Sequence, residues 1–209
     1  MLAERVVHIV DDSTAVLRAL ERLLNTANFT VKCYETPKAF LEAAKRSSEG
    51  CVILDLRMPG LDGLQVQARL REMGNRLPVI FLTAYGDVKV AVQAMKAGAV
   101  DFVEKPIADK ALFAAVDRAL ERSRQRSAEL ESRVAARRIA ALTPRERLVL
   151  DALLEGRQNN VVASDLGVSV RAVEAQRKLL LQHLGVDEPS QAIRLGVIAQ
   201  LQRLRSTVR

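Results

Sequence analysis

The sequence predicts an α/β domain with a parallel sheet, followed by a smaller all-α domain. Five short apolar runs alternate with helical patterns over residues 1–122. Such alternation is typical of βα units, whose helices cover both faces of a parallel sheet. Residues 142–209 instead carry four helical segments, two of which are joined by a short glycine turn. A chain of 209 residues is long enough for both domains.

Each apolar run of the first half ends in polar or turn residues, and a helical pattern with a start signal follows. Asp12 or Ser13 is the expected N-cap of the first helix, and Pro37 stands at the first helical position of the second. The predicted strands are Val6–Val10, Thr30–Tyr34, Cys51–Asp55, Val79–Leu82 and Val100–Glu104. The predicted third to fifth helices begin near Gly63, Asp87 and Asp109, and the fourth is expected to stop at Ala97.

Polar side chains follow these strands at their carboxyl ends, which is where open α/β sheets bind ligands. Apolar packing does not require a carboxylate at the end of the third strand, so we expect Asp55 to be the modified residue. Singly, each neighbour has a simpler interpretation, as an N-cap, a turn residue or a surface charge. Together, the strand ends predict one shallow site formed by Asp11, Asp12, Asp55, Thr83 and Lys105.

The residue types of this site predict phosphoryl chemistry. Three neighbouring carboxylates repel one another, so they favour a divalent cation, and oxygen ligands suit Mg²⁺. A metal-neutralised carboxylate can attack phosphorus and form an aspartyl phosphate. Lys105 would balance the charge of the phosphoryl oxygens, and the Thr83 hydroxyl would donate a hydrogen bond to one of them.

The first half resembles the receiver domain of two-component response regulators from residue 5 to about 122. The matching segments are Val10–Ser13, Leu54–Asp55, Met58–Gly63, Leu82–Ala84 and Lys105–Pro106. The resemblance implies a flavodoxin-like (βα)5 fold, with Asp55 as the phosphoacceptor of a sensor histidine kinase. It also implies that Asp12, Asp55 and the Arg57 carbonyl ligate Mg²⁺, and that Asp11 assists through water.

The same resemblance implies a conformational switch and a cis peptide bond. Thr83 and Phe102 match the family's switch pair, in which an aromatic ring moves inward when the threonine engages the phosphoryl group. Because Phe102 has no hydroxyl, its switch would work by packing alone. A core ring is the alternative interpretation. The Lys105–Pro106 bond matches the family's cis peptide.

Residues 123–141 predict a continuous helical linker, because they are rich in Ala, Arg and Glu and contain no Gly or Pro. A heptad-like seam passes through this segment, although three of its positions are polar. A solvated helix and a weak coiled-coil contact are equally compatible with the pattern. The seam consists of Val116, Leu120, Ser123, Ser127, Leu130, Val134, Arg137 and Ala141.

The second half predicts a helix-turn-helix within four helices. Thr143 and Glu146 have the spacing of a capping box. Helices follow from about Asn159 to Leu166 and from Val170 to about Leu184, and the last runs from about Ser190 to Leu204. The predicted core positions include Leu148, Val149, Ala152 and Leu153 on the first helix and Val170, Val173, Leu180, Leu181 and Leu184 on the third.

One face of the third helix carries side chains that can read DNA. Lys and Arg reach guanine edges or phosphates, and Glu accepts from cytosine. A solvated face with ion pairs along the helix is the alternative. The adjacent helix-turn-helix and the basic charge of this half favour DNA. The predicted contacts are Arg171, Glu174, Ala175, Arg177 and Lys178.

This half resembles the LuxR-type output domain of NarL/FixJ response regulators, with the FixJ type as the nearest match. The matching segments are Leu142–Glu146, Gly156, Asn159, Ala163, Leu166–Ser169, Val173–Glu174 and Arg177. The family implies a homodimer on a two-fold symmetric site of double-stranded promoter DNA, with RNA polymerase as a further partner. Asn160 and Gln176 depart from residues common in relatives, so the target sequence does not carry over.

Charge and composition agree with this division. Residues 1–122 hold 17 Lys/Arg against 16 Asp/Glu, whereas residues 123–209 hold 15 against 9, so the second half is suited to a polyanion. Cys33 and Cys51 are predicted to be buried free thiols of a cytoplasmic protein. No apolar run approaches the length of a membrane span, and the first thirty residues lack the pattern of an export signal, so we do not expect export.

We therefore expect a response regulator transcription factor with a receiver (1–122), a linker (123–141) and a DNA-binding domain (142–209). Phosphorylation would control dimerisation and DNA binding; a standing dimer that binds DNA largely without phosphorylation is the alternative. An aspartate-dependent phosphohydrolase needs a second Asp where this chain has Arg57, so we expect no enzyme beyond the receiver's own phosphotransfer and dephosphorylation. RNA binding would be supported by aromatic residues, and 123–209 contain none.

Overall fold

The structure, a computed structural model, describes residues 5–84 and 88–207. The chain divides into two compact units between Arg126 and Ser127. The first unit holds a parallel sheet and its helices, and the second is helical. The finer boundaries at residues 122 and 142 stay predictions.

The first unit confirms the predicted five-stranded parallel sheet. Its order is β2-β1-β3-β4-β5, so β3 lies at the centre between β1 and β4, and β2 and β5 lie at the edges. All neighbouring strands are parallel, as the βα alternation requires. The strands are β1 (Val6–Val10), β2 (Thr30–Tyr34), β3 (Cys51–Asp55), β4 (Val79–Thr83) and β5 (Asp101–Glu104).

Nine helices follow the predicted order in the described ranges. The predicted start of the fourth helix, Asp87, lies outside the described residues. Ser13 and Thr143 cap the helices that follow them, and Thr143 and Glu146 form both bonds of a capping box. The helices are α1 (Thr14–Thr26), α2 (Pro37–Ala44), α3 (Gly63–Glu72), α4 (Val88–Lys96), α5 (Asp109–Ala140), α6 (Pro144–Leu154), α7 (Asn159–Leu166), α8 (Val170–Leu184) and α9 (Pro189–Thr207).

Two apolar cores cover the two faces of the sheet. One includes Ile53 and Ile80, and the other includes Leu54 and Phe81, so successive residues of β3 and β4 point to opposite cores. The start of α3 lies very close to β3: a Cβ added to Gly63 would be 2.6 Å from the Asp55 carbonyl oxygen. Glycine is therefore required where α3 passes over the end of β3.

Helix α5 is continuous through the predicted linker, from Asp109 to Ala140. The first two residues of the predicted seam, Val116 and Leu120, are buried in the receiver core. The apolar spacing at these two positions therefore serves the receiver core. Leu130 and Val134 are the large apolar seam residues that stay exposed, at 64% and 40%.

The second unit has its own core, which confirms most of the predicted apolar positions. Val149, Leu150, Leu180 and Leu184 pack together with residues of α5 and α9. Two predicted core residues are wrong: Leu148 is 50% exposed and Val170 is 41% exposed. Helical spacing alone does not show which edge of a wide apolar stripe is covered by a neighbour.

Both cysteines are free thiols, but only one is buried. Cys51 lies in the central strand β3, where burial raises the pKa of the thiol to about 12. Cys33 is exposed, so its predicted burial is wrong. Its strand β2 lies at the sheet edge, where few side chains are covered on both sides. Within the described ranges, no helix is both long and apolar enough to cross a bilayer.

His8 should make the stability of the first unit depend on pH. Its ring is 3% exposed, and its nitrogens lie 3.2 Å from the Tyr34 hydroxyl and 3.3 Å from the Glu49 carbonyl oxygen. Burial lowers the pKa of His8, against a smaller raising effect of the Glu49 carbonyl, so the native state favours the neutral ring. The free energy of unfolding should therefore fall as the pH drops below the ordinary histidine pKa of about 6.5.

Urea unfolding between pH 7.5 and 5.5 measures this effect. His8→Gln should be less stable at pH 7.5 but should lose less stability on acidification than the wild type. Equal pH dependence in the wild type and His8→Gln would contradict the assignment.

Candidate functional site

Four of the predicted site residues lie at the carboxyl ends of neighbouring strands. Asp11 directly follows β1, Asp55 ends β3, Thr83 ends β4 and Lys105 directly follows β5. The parallel register places these ends along one edge, and the backbone N–H of Lys105 donates to the Thr83 carbonyl at 2.7 Å. Residues far apart in sequence are thus joined by the topology of the sheet.

The ammonium group of Lys105 bridges the two most buried carboxylates of this edge. Its Nζ donates to Asp11 Oδ2 and to Asp55 Oδ1, each at 2.8 Å. Asp11 is 1% exposed and Asp55 is 6% exposed. Buried carboxylates need a charge partner, and this lysine serves both.

Backbone N–H groups hold the remaining oxygen of each carboxylate. The Ser13 N–H donates to Asp11 Oδ1 at 2.8 Å, and the Arg57 N–H donates to Asp55 Oδ2 at 2.9 Å. These donors lie in the turns directly after β1 and β3. Both carboxylates are therefore fixed in orientation by their own loops as well as by Lys105.

The protonation state of Lys105 follows from two opposing effects. Burial alone would lower the pKa of its ammonium group. The hydrogen bonds to Asp11 and Asp55 outweigh burial, and the pKa of Lys105 is raised. The group is consequently a permanent positive charge at neutral pH.

Thr83, Asp12 and Arg57 complete the predicted set at this edge. Thr83 is 3% exposed, whereas Asp12 and Arg57 are exposed. The structure thus brings Asp11, Asp55 and Lys105 into direct contact and places Asp12 on the solvent side. The backbone donors of Ser13 and Arg57 were not predicted from the sequence, because the residue types in a loop do not show which way its N–H groups point.

The donor chemistry of this edge fits Mg²⁺. In the part of the chain that the structure describes, no three Asp, Glu, His or Cys side chains form a cluster that could hold a metal by themselves. Mg²⁺ commonly takes only one or two carboxylates and keeps several waters. The Asp55 and Asp12 carboxylates and the Arg57 carbonyl could supply oxygen ligands of this kind.

Phe102, the predicted switch residue, lies on the edge strand β5 opposite Phe81 of β4. Its ring is partly buried against the core that also contains Ala94 of α4. The side chain therefore borders both the sheet and α4, and it is neither fully enclosed nor fully solvated.

The second unit presents the predicted DNA-reading face on α8. Ser169 caps this helix, and Gly167 in a left-handed conformation (φ 65°) ends α7 before it. The side chains of Arg171, Glu174, Ala175 and Lys178 are exposed, whereas Val173, Leu180 and Leu184 are buried. The face is thus available to a partner while the opposite side anchors the helix.

Arg177 differs from the other predicted contacts. Its Nη2 donates to the Arg157 carbonyl oxygen at 2.9 Å, and burial lowers the pKa of its guanidinium. Arg157 in turn donates to Asp165 Oδ2 at 2.9 Å. Arg177 therefore ties α8 to the loop between α6 and α7, a contact that sequence spacing does not predict because the two residues lie on separate elements.

Comparison with known proteins identifies both units. The response regulator receiver domain family matches residues 7–117, and the bacterial regulatory proteins of the luxR family match residues 140–195. The transcriptional regulatory protein FixJ of Bradyrhizobium diazoefficiens is 36% identical over 194 residues, which cover 92% of this chain and 95% of FixJ.

Two solved structures are similar to most of the chain. The response regulator StyR superposes with a TM-score of 0.64 at 34% identity, covering 92% of this chain and 98% of StyR. Full-length FixJ from B. japonicum superposes with a TM-score of 0.57 at 35% identity, covering 95% of this chain and 98% of FixJ. The chain therefore belongs to the response regulator family, as a transcription regulator with a flavodoxin-like receiver domain and a LuxR-type DNA-binding domain.

Proposed function

We propose that a sensor histidine kinase phosphorylates Asp55, and that the phosphoryl group controls dimerisation and binding to promoter DNA. The observation that carries the proposal is the buried cluster in which Lys105 bridges Asp11 and Asp55. The working division is a receiver (1–122), a linker (123–141) and a DNA-binding domain (142–209). A cytoplasmic location and regulation of RNA polymerase at the promoter belong to the same proposal.

The residues of the cluster have distinct roles in phosphotransfer. A carboxylate oxygen of Asp55 attacks the phosphorus of a phosphohistidine, and the P–N bond breaks as the new O–P bond forms. Lys105 is already charged and in contact, so it balances the phosphoryl oxygens without a proton transfer. The Thr83 hydroxyl donates to a phosphoryl oxygen, and the Arg57 N–H keeps the carboxylate oriented.

Asp12, Asp55 and the Arg57 carbonyl would hold Mg²⁺ directly, and Asp11 would assist through water. When bound, the ion neutralises negative charge shared between the acidic residues and the phosphoryl group. The exposed position of Asp12 leaves the solvent side of the cluster accessible to an ion and to the kinase.

The phosphoryl group would act through Thr83 and Phe102. When Thr83 turns toward the phosphoryl oxygens, the partly buried Phe102 ring can pack further inward beside β4. Helix α4 adjoins this ring and carries two exposed apolar side chains, Val92 at 44% and Met95 at 46%. A shift of α4 and β5 would reposition these exposed residues for contact with a second copy, because the phosphoryl group favours one of two arrangements.

A second arrangement, a standing dimer, is favoured by one observation. Leu130 and Val134 lie four residues apart on the continuous helix α5 and stay exposed. They could pair with their counterparts in a second copy without phosphorylation. Two apolar positions form only a short coiled-coil contact, so we favour the phosphorylation-controlled dimer.

DNA binding would use the exposed face of α8 in the major groove. Arg171 and Lys178 would contact guanine edges or phosphates, Glu174 would accept from cytosine, and Ala175 would allow close approach. Arg177 would contribute mainly by holding α8 in place, since its guanidinium already bonds the Arg157 carbonyl.

Asp55→Asn should abolish phosphorylation and leave the fold intact. The substitution removes the nucleophile but keeps the size of the side chain and one oxygen acceptor. Intact-protein mass after incubation with acetyl phosphate and Mg²⁺ should show one phosphoryl group on the wild type and none on Asp55→Asn. Asp109→Asn, a change on the exposed start of α5, should be modified like the wild type. An equally modified Asp55→Asn variant would refute Asp55 as the acceptor.

Lys178→Gln should weaken DNA binding through the phosphate backbone. The slope of log K against log salt is negative, and losing one phosphate contact should reduce its magnitude by about 1. Binding to all sequences should weaken similarly. Fluorescence anisotropy at several salt concentrations measures both effects. Arg137→Gln removes an equal charge from α5 and should leave the slope unchanged. The same slope change in both variants would contradict a specific contact of α8.

A further inference from the structure

A pocket lies in the first unit at the opposite end of β4 from Thr83. Val79, the first residue of β4, lines it together with residues of α3, α5 and the turn after α4. Its volume is about 350 Å³, within the small end of the range for ligand pockets of about 300–1,000 Å³. The phosphotransfer residues do not line it.

Four arginines converge on this pocket without carboxylate partners. They are Arg71, Arg76, Arg122 and Arg126, and no acidic residue lines the pocket. Throughout the described ranges, no carboxylate lies within the 4.0 Å ion-pair distance of these guanidinium groups. Arg126 makes one hydrogen bond, from Nη1 to the Arg76 carbonyl oxygen at 2.6 Å, which leaves further donors on its planar fork.

Helix ends do not neutralise this charge. Arg71 lies in the last turn of α3, and its Nη2 lies near Gly98, which follows α4. Each helix C-terminus carries roughly half a negative charge, so two of them offset about one of four positive charges. All four arginines are exposed, so water solvates the remaining positive charge and an anion can reach it.

A buried polar group in the pocket wall also lacks a partner. Gln67 is 4% exposed, and its Nε2 donates to the Ala97 carbonyl oxygen at 3.2 Å. Its Oε1 has no hydrogen-bond partner among the described residues. An acceptor left unpaired in a buried position is costly, and a ligand hydroxyl could satisfy it after a small side-chain rotation.

We propose that this pocket binds a small phosphorylated molecule. Guanidinium groups bind phosphate oxygens in paired hydrogen bonds, and here they approach from three separate chain segments. A tetrahedral phosphate offers oxygens in several directions, whereas a carboxylate offers one planar pair. The pocket size excludes a large polyanion from its interior and suits a compact phosphate ester or a diphosphate.

Titration with inorganic pyrophosphate tests the proposal on the full-length protein, in magnesium-free buffer of constant ionic strength. Calorimetry should show saturable binding, and the backbone amide NMR signals of the pocket residues Gln67, Arg71 and Gly98 should shift. Arg122→Gln should weaken binding about tenfold or more, since it removes a charge-assisted contact. Within the described residues Arg122 makes no ion pair, so the Arg122→Gln variant should keep the wild-type fold.

Arg124→Gln is the matched control, because it removes the same charge from the same helix at a position outside the pocket. It should change the affinity by less than about twofold. Equal weakening in both variants, or amide shifts confined to other parts of the protein, would overturn the pocket assignment. Citrate binding as tightly as pyrophosphate would overturn the assignment to phosphate.

Discussion

The ion-pair cluster of Lys105 with Asp11 and Asp55 is the interaction on which the receiver site depends. Two carboxylates that are almost fully buried would repel each other without a shared cation. Lys105 supplies that cation from a different strand end, at 2.8 Å from each. The β1, β3 and β5 termini must therefore stay in register for the site to exist. The sheet order, in which β1 and β3 are adjacent, meets this requirement.

The same cluster connects the proposed phosphorylation site to more distant surfaces. Thr83 ends the strand next to β3, and the Lys105 backbone bonds the Thr83 carbonyl. Phe102 lies on the strand that leads to Lys105, beside α4. Under the proposed mechanism, a phosphoryl group on Asp55 would therefore act directly on the ends of β4 and β5. Further along the chain, α5 begins after Lys105 and continues without interruption to Ala140.

Residue pattern was sufficient for most of the fold, because most strands contain a short apolar run and several helices carry a start signal such as Ser13 or Thr143. The pattern also predicted that Asp11, Asp55, Thr83 and Lys105 lie at one edge of the sheet, since that inference needs only parallel topology. The exposure of Cys33 could not be predicted from its apolar run alone, because it depends on which strand becomes the edge.

The sequence pattern also did not predict side-chain contacts between separate helices and loops. The Arg177 contact with the Arg157 carbonyl depends on how α8 packs against the loop after α6. Val116 and Leu120 fit the spacing of an intermolecular seam, yet the receiver core covers them. Periodicity identifies an apolar face, but the tertiary structure decides which neighbour covers it.

Molar mass by sedimentation tests the central claim, that phosphorylation of Asp55 controls assembly. The wild type should be a monomer alone and should approach the mass of a dimer with acetyl phosphate and Mg²⁺, whereas Asp55→Asn should remain a monomer in both conditions. A dimer in every sample would contradict this account and favour the contact through α5. A monomer in every sample would also contradict it, because the phosphoryl group would then not promote assembly without DNA.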